Sequence, residues 1–307
     1  MIKDLKFDDY VSGSCFIVKD PKEITLPSGA KLFNATILDN SGAMDVKTFN
    51  YNSQYLEAFK NGNILQIYGK VKENKGRLYI DLETYVTAKE GTYSLEDLIM
   101  VSPKNFDDMK EDLKKYLDSI KNEELHTITR KIIVDNYKKY LDYPAAVKNH
   151  HEFMHGLLHH SLSMCHLIDG IIGNYSDVDR DLLISGALLH DVGKIAEFSG
   201  VVATHYTTEG NLLGHLLIGV ELIDRASIEL NLHSEKILLL KHLVASHHGK
   251  LEFGAIVLPS TKEAVILSMV DDLDAKMMAI EKALSTTEKG TFSDRIFPLD
   301  NRPFYKE

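Results

Sequence analysis

The stretch LLHDVGK, Leu188 to Lys194, sets a His and an Asp side by side directly behind an apolar run. A helix that buries Leu188 and Leu189 carries both titratable groups into or beside its core. That costs on the order of several kcal/mol unless something satisfies them. A metal ion would do so, provided the rest of the chain supplies further ligands.

Four further elements in the second half place ligand groups on otherwise apolar helical patterns. His160 lies in GLLHHSLSMCHLIDGII, His215 in NLLGHLLIGVELI, His247 and His248 in LLLKHLVASHHGK, and Asp271 in AVILSMVDDLDAKM. A single His in such a place is ordinarily a hydrogen-bonded core residue, but a succession of such elements is a ligand set. Imidazole and carboxylate suit first-row divalent ions, and the lack of thiolates disfavours a structural zinc site. The ligands exceed what one ion needs. The economical arrangement is a pair of ions about 3.5–4 Å apart with Asp191 bridging them.

Asp271 and Asp274, three apart on a helix, can face one pocket. Asp271 is the candidate ligand, and Asp274 either supports a ligand or substrate or is a surface charge. Ser260 and Glu263 form a capping-box pattern that predicts a helix start just after Pro259. Lys194 would stand near the ions, where a bridging phosphate makes a cation tolerable; the alternative is an exposed Lys at a helix end.

The 307 residues have room for two domains or one large one. A formal charge of −10 excludes a protein coated with positive potential, so any nucleic-acid contact must be local. Of the 14 His, 13 crowd between His150 and His248. Only Cys15 and Cys165 occur, expected to be small buried residues and not a disulfide framework. No apolar run approaches a membrane span and MIKDLKFDDY lacks the apolar stretch of a signal peptide, so the expectation is a cytoplasmic protein.

The chain has two textures. From Tyr10 to Ala88 there are β-type runs (GSCFIVKD, KLFNATILD, AMDVKTFN, NILQIYGKV, RLYIDLETYVTA) separated by turn residues, with YNSQYLEAFKNG as one helix ended by Gly62. Five strands with a helix after the third is the order of an OB-fold barrel. After Gly91 the pattern is helical almost to Leu284. The predicted organisation is multidomain: an OB-fold barrel over residues 1–90, a linker over 91–104, and an all-α bundle with a C-terminal tail over 105–307.

An OB barrel binds single strands with aromatic platforms and a basic track. Tyr68 and Tyr79 flank VKENKGR, which with Lys70 gives Lys70, Lys72, Lys75 and Arg77 in the strand 4 to strand 5 loop. Phe33 and Phe49 fall on the second and third strands, where either could serve as platform or core. The nucleic-acid candidates are Lys70, Lys72, Lys75, Arg77, Phe49 and Tyr68.

The ordered set of a His, then His-Asp, further His and a late Asp resembles the HD-domain phosphohydrolase superfamily, through HDVGK, SHHGK and VDDLDAK. With an OB-fold in front, and with HHEFMHGLLHHS, EGNLLGHLLIGVE and SHHGKLEFG, the whole chain is similar to the YhaM-type 3′-to-5′ exoribonucleases. That resemblance implies two divalent ions held by His160, His190, Asp191, His215, His247, His248 and Asp271. Manganese comes first among them, with iron, cobalt or magnesium as alternatives. It makes Asp191, Lys194 and Asp271 the catalytic set, with Lys194 on phosphate. His160 is preferred to His159 because it falls where the family pattern ends. His150, His151 and His155 lie upstream, on what reads as the same helix, as channel, structural or surface residues.

The implied reaction is hydrolysis of single-stranded RNA, with single-stranded DNA as a further candidate, by ion-activated water and no side-chain nucleophile. RNA preference and polarity rest on the resemblance alone. The rivals are an HD-type nucleotidase or dNTP phosphohydrolase with a regulatory OB domain, a cyclic-dinucleotide phosphodiesterase, for which the GYP signature is missing, and a non-catalytic nucleic-acid-binding protein. The aromatic tail TFSDRIFPLDNRPFYKE is expected to pack on its own domain or on another subunit of a homo-oligomer.

Overall fold

Period-two alternation over Ile64–Val71 puts Leu65, Ile67 and Val71 on one face, and all three are fully buried. In the computed structural model, which describes residues 1–146 and 153–307, that face belongs to a closed barrel. Its strands are β1 (Tyr10–Thr25), β2 (Lys31–Asp39), β3 (Gly42–Thr48), β4 (Ile64–Asn74) and β5 (Arg77–Thr87), in the order β1-β2-β3-β5-β4. Neighbours are antiparallel except β3 and β5, which run parallel with Asp45 beside Tyr79 and Lys47 beside Asp81. Phe33 is in the barrel core, edge-on to Phe59 at 5.0 Å, so it is no platform. Helix α1 (Ser53–Ala58) sits between β3 and β4, started by the Asn52 side chain accepting from Gln54 N–H. It ends at Phe59 and not at Gly62, because the buried Phe59 ring turns the chain into the core.

Two compact units divide the chain: Met1–Val101 with Val202–Thr204, and Ser102–Val201 with His205–Glu307. After the barrel comes the short α2 (Leu95–Leu98), and the second unit is helical. Its elements are α3 (Phe106–Ser119), α4 (Glu123–Asp135), α5 (Tyr137–Asp142), α6 (Gly156–Ile171), α7 (Arg180–Leu189), α8 (Lys194–Glu197), α9 (Thr208–Leu230), α10 (Glu235–Ser246) and α11 (Lys262–Ser285). Helices α6 and α7 are apolar nearly all round and central; Leu157, Leu158, Leu162, Leu182, Leu183 and Leu189 are all but inaccessible. Each such side chain contributes about 1.5–3 kcal/mol by leaving water. Cys165 is buried in this core, whereas Cys15 on the barrel is only half-buried, a correction to the expectation for both.

Helix α11 starts one residue later than its capping-box pattern predicts. Thr261 Oγ1 accepts from Ala264 N–H, while the Glu263 carboxylate is drawn across to the Asp179 N–H at 2.9 Å. The tail packs on its own unit: Lys306 Nζ donates to the carbonyls of Leu284 and Thr287 at the end of α11, and Leu299 is buried. Among the described residues no helix is long and apolar enough to cross a membrane.

Candidate metal centre

The His-Asp pair stands where α7 runs out. Asn or Gly is not needed there, because Tyr140, fully buried on α5, donates its hydroxyl to the Leu188 carbonyl at 2.8 Å and holds the last turn. His190 and Asp191 follow, both almost completely buried, and α8 begins at Lys194. Gly193 lies against α9 so closely that a Cβ there would stand 2.0 Å from the His215 carbonyl oxygen. Helix α9 is broken at Gly214, whose φ of +72° and ψ of +154° lie outside the helical region. That break frees the His215 N–H, which donates to Glu197 Oε1 at 3.0 Å.

Around Asp191 the imidazoles are arranged alike. Nδ1 of His190 bonds the Ala187 carbonyl (2.9 Å), Nδ1 of His247 that of Val244 (2.8 Å), and Nδ1 of His248 that of Phe253 (2.9 Å). His215 Nδ1 donates to Glu197 Oε1 at 3.0 Å, and His160 Nδ1 to Asp274 Oδ2 at 2.7 Å. Tying Nδ1–H to an oxygen fixes the tautomer and leaves each Nε2 facing the centre, the way metal-binding imidazoles are held. The two Asp191 oxygens divide these nitrogens. Oδ1 lies 3.4 Å from His215 Nε2 and 3.7 Å from His247 Nε2. Oδ2 lies 3.2 Å from His190 Nε2, 4.0 Å from His160 Nε2 and 2.6 Å from Lys194 Nζ.

Three observations fit this donor set to metal. His190 Nε2 and Asp191 Oδ1 are buried and make no hydrogen bond. His215 Nε2 and His248 Nε2 face each other at 3.3 Å, close to the ~3 Å expected of neighbouring ligands with bonds of ~2.0–2.1 Å on one ion. Ligand atoms of His215, His247 and His248, of His160, His190 and Asp191, and of His190, His247 and Asp271 gather within 4.8 Å of one another in each group. The centre opens to a cavity of about 260 Å³ that is also lined by Phe253, Ser268 and Asp272.

Burial opposes charge throughout the cluster. At His160 it is overcome by hydrogen bonds and attraction from Asp271 and Asp274, which lift the imidazole to about 10. Burial likewise resists ionisation of Asp191, but the Lys194 ammonium beside it holds its carboxyl well below the usual carboxylate range. Asp271 is also held low against burial, chiefly by the His160 hydrogen bond. Burial pushes His247 and His248 down, reinforced at His247 by His190 and at His248 by His215, so both are neutral.

The seven sequence-predicted ligands thus converge. His159, next to His160, turns away to Ser102 Oγ at 3.0 Å. His155 is not on the helix; at φ +66° it precedes α6, stacks on Phe106 and bonds the Leu141 carbonyl, a structural role. His150 and His151 lie outside the described residues. Asp274 is buried against His160 and Ser163 and is not a surface charge. Glu197, which orients His215, is a residue the sequence reading missed; its signal was an acid two residues after Ile195 in an otherwise apolar turn.

On the barrel the candidates are dispersed. Phe49, just past β3, is 63% exposed, and Tyr68 is half-buried. Lys70 pairs with Asp8 and Lys72 with Asp81, while Lys75 and Gly76 form the positive-φ tip of the β4–β5 hairpin. Of these four candidate cations only Lys75 and Arg77 have no carboxylate partner among the described residues, so the free charge of this loop lies at its tip.

Residues 157–276 match the HD domain family model, and residues 19–90 match the OB-fold nucleic acid binding domain model. Among solved structures, tetrameric p202 HIN2 is 20% identical at a TM-score of 0.23 over 28% of this chain and just under half (48%) of that one. The second OB-fold domain of replication protein A from Methanococcus maripaludis is 17% identical at a TM-score of 0.21, covering 30% of this chain and 97% of that one. Likenesses this low carry no argument. The 3′-5′ exoribonuclease YhaM of Bacillus velezensis is different in kind: it is 38% identical over 292 residues, 95% of this chain and 93% of that protein. With both domains in the same order and the likeness running through barrel and His/Asp cluster alike, the chain belongs to the family of that YhaM exoribonuclease.

Proposed function

We propose that this chain is a metal-dependent 3′-5′ exoribonuclease that hydrolyses single-stranded RNA to mononucleotides. The observation that carries it is the Asp191 carboxylate, whose two oxygens face two groups of inward-pointing Nε2 atoms, in a chain alike from end to end to a relative of that name. His160, His190, Asp191 and Asp271 would hold one divalent ion, and Asp191, His215, His247 and His248 a second. Manganese is the first choice, then iron, cobalt or magnesium. When bound, such ions supply Lewis acidity and a water of lowered pKa. Lys194, which donates to Asp191 here, would donate to the attacked phosphate. Asp274 and Glu197 keep His160 and His215 in the ligand tautomer. DNA is a secondary substrate in this reading, the location is cytoplasmic and a homo-oligomer is compatible with it.

The test is a time course of 5′-labelled single-stranded RNA with manganese, beside phosphate release from nucleoside triphosphates. A ladder shortening from the unlabelled end, abolished by chelator and restored by manganese, is expected. Intact RNA with nucleotide turnover would instead make the protein a nucleotidase.

Metal uptake should release protons. In chelator-treated protein His160 stays protonated below about 10, whereas His247 and His248 are already neutral, and a ligand imidazole must be neutral. Between pH 7 and 9 about one proton should leave, so apparent affinity rises about tenfold per pH unit. Titration calorimetry in buffers of different ionisation enthalpy measures this. A heat independent of buffer would contradict it.

For the barrel, replacing Lys72, Lys75 and Arg77 with Ala together should weaken RNA binding and flatten its salt dependence. Each phosphate contact on a single strand adds about 0.7 to the log–log slope. Because Lys72 is already paired with Asp81, the expected loss is about 1.4 and not 2.1. Turnover of a dinucleotide should survive; equal loss on short and long RNA would place the loop at the chemistry.

A further inference from the structure

The cavity over the His/Asp cluster has two walls that the hydrolytic chemistry leaves unused. One is α11, where Ser268, Asp271, Asp272 and Ala275 fall at helical spacing along a single stripe; only Asp271 belongs to the cluster. The other is Phe253, which is 61% exposed although its backbone is tied to the centre through its carbonyl bond to His248 Nδ1. Lys250 Nζ lies 5.0 Å from the centre of that ring. About 260 Å³ is just below the ~300–1,000 Å³ of small-ligand sites, so the space suits one nucleotide unit.

Asp272 is the informative member. Beside a centre that takes a phosphodiester, a further carboxylate repels the substrate unless it faces hydrogen-bond donors. Its hydrogen bond to Lys276 Nζ is an exposed contact between residues four apart, worth little to the fold. At the 3′ end of RNA the donors free of phosphate are the 2′- and 3′-hydroxyls of the last ribose, and the 2′-hydroxyl is what separates RNA from DNA. An exposed aromatic residue lining the same cavity offers a sequence-tolerant face for the last base.

We propose that Phe253 and Asp272 form a subsite for the 3′-terminal nucleoside, with the base on the Phe253 ring and the ribose diol on the Asp272 carboxylate. This rests on the 3′-5′ exoribonuclease reading and deepens it, because it names the group that makes the strand's end, and not its middle, the substrate.

The experiment uses the full-length protein with manganese and 5′-labelled RNAs that differ only in the last residue: an ordinary nucleotide, a 2′,3′-dideoxynucleotide, or an abasic ribose. First-cut kcat/KM on the dideoxy and on the abasic end should each fall about tenfold or more below the ordinary end. Asp272→Ala should erase discrimination against the dideoxy end and keep that against the abasic end. Phe253→Ala, which retains the carbonyl that holds His248, should do the reverse, and Phe253→Tyr should restore it. Variants that slow every end equally, or that leave discrimination as it was, would overturn the subsite. Wild-type protein that shortens none of these RNAs would overturn the exonuclease reading beneath it, whereas shortening without regard to the end sinks the subsite alone.

Discussion

Replacing Asp191 with Ala should lower hydrolysis of single-stranded RNA by about 10³-fold or more and strip the protein of bound metal. The size follows from its position. Changing a group that merely orients a metal ligand costs about 10–100-fold, and Asp191 faces both groups of imidazoles at once, through Oδ1 to His215 and His247 and through Oδ2 to His190 and His160. Without the carboxylate, Lys194, which is 12% exposed, loses its 2.6 Å partner and remains as an uncompensated cation among five imidazoles. That repels a second positive centre as well as removing the proposed ligand. Asp191→Asn keeps the shape and removes only the charge, so it separates misfolding from loss of metal. Metal analysis and circular dichroism on both variants, alongside first-cut rates, decide the matter. Full activity with either substitution would sink the two-ion reading.

The His/Asp cluster was legible because burial and polarity conflict in this sequence. Leu188 and Leu189 announce a core, and His190 and Asp191 inside it demand a partner. His160, His215, His247 and Asp271 repeat that conflict on separate helices. The barrel was legible through alternation and turn residues. What depends on a neighbour distant in sequence was not. Glu197 is an ordinary acid until the break at Gly214 presents the His215 N–H and Nδ1–H to it. The α11 start moved because Asp179, 84 residues away, competes for Glu263. The basic loop looked continuous along the chain, but cross-strand Asp81 and distant Asp8 claim two of its lysines. His155 sits within a run of His residues, yet a left-handed backbone takes it off the helix.

Gly193→Ala is expected to have the second-largest effect, and it explains why LLHDVGK carries a glycine before its lysine. The backbone there is ordinary, with φ −61°, so no left-handed conformation calls for glycine. Contact does. An added Cβ would lie 2.0 Å from the His215 carbonyl oxygen and 2.8 Å from the Gly219 nitrogen, both main-chain atoms that no rotamer change can clear. Helix α9 would have to back away, taking with it His215 and the bond it donates to Glu197, which sets its tautomer. Overpacking of this kind costs about 1–3 kcal/mol of stability. A displacement on the order of 1 Å at a catalytic ligand costs about 10²-fold in rate. Both losses should appear together: a lower Tm, and a kcat/KM reduced about a hundredfold in protein that is still folded at the assay temperature. Gly170→Ala supplies the comparison, since Gly170 lies in α6 with nothing within 4 Å of an added Cβ. That change should leave activity intact and hold or raise Tm, because Ala is the better helix former by about 1 kcal/mol. If Gly193→Ala behaved like Gly170→Ala, the close approach of α9 to the His-Asp turn would not be what aims His215 at Asp191.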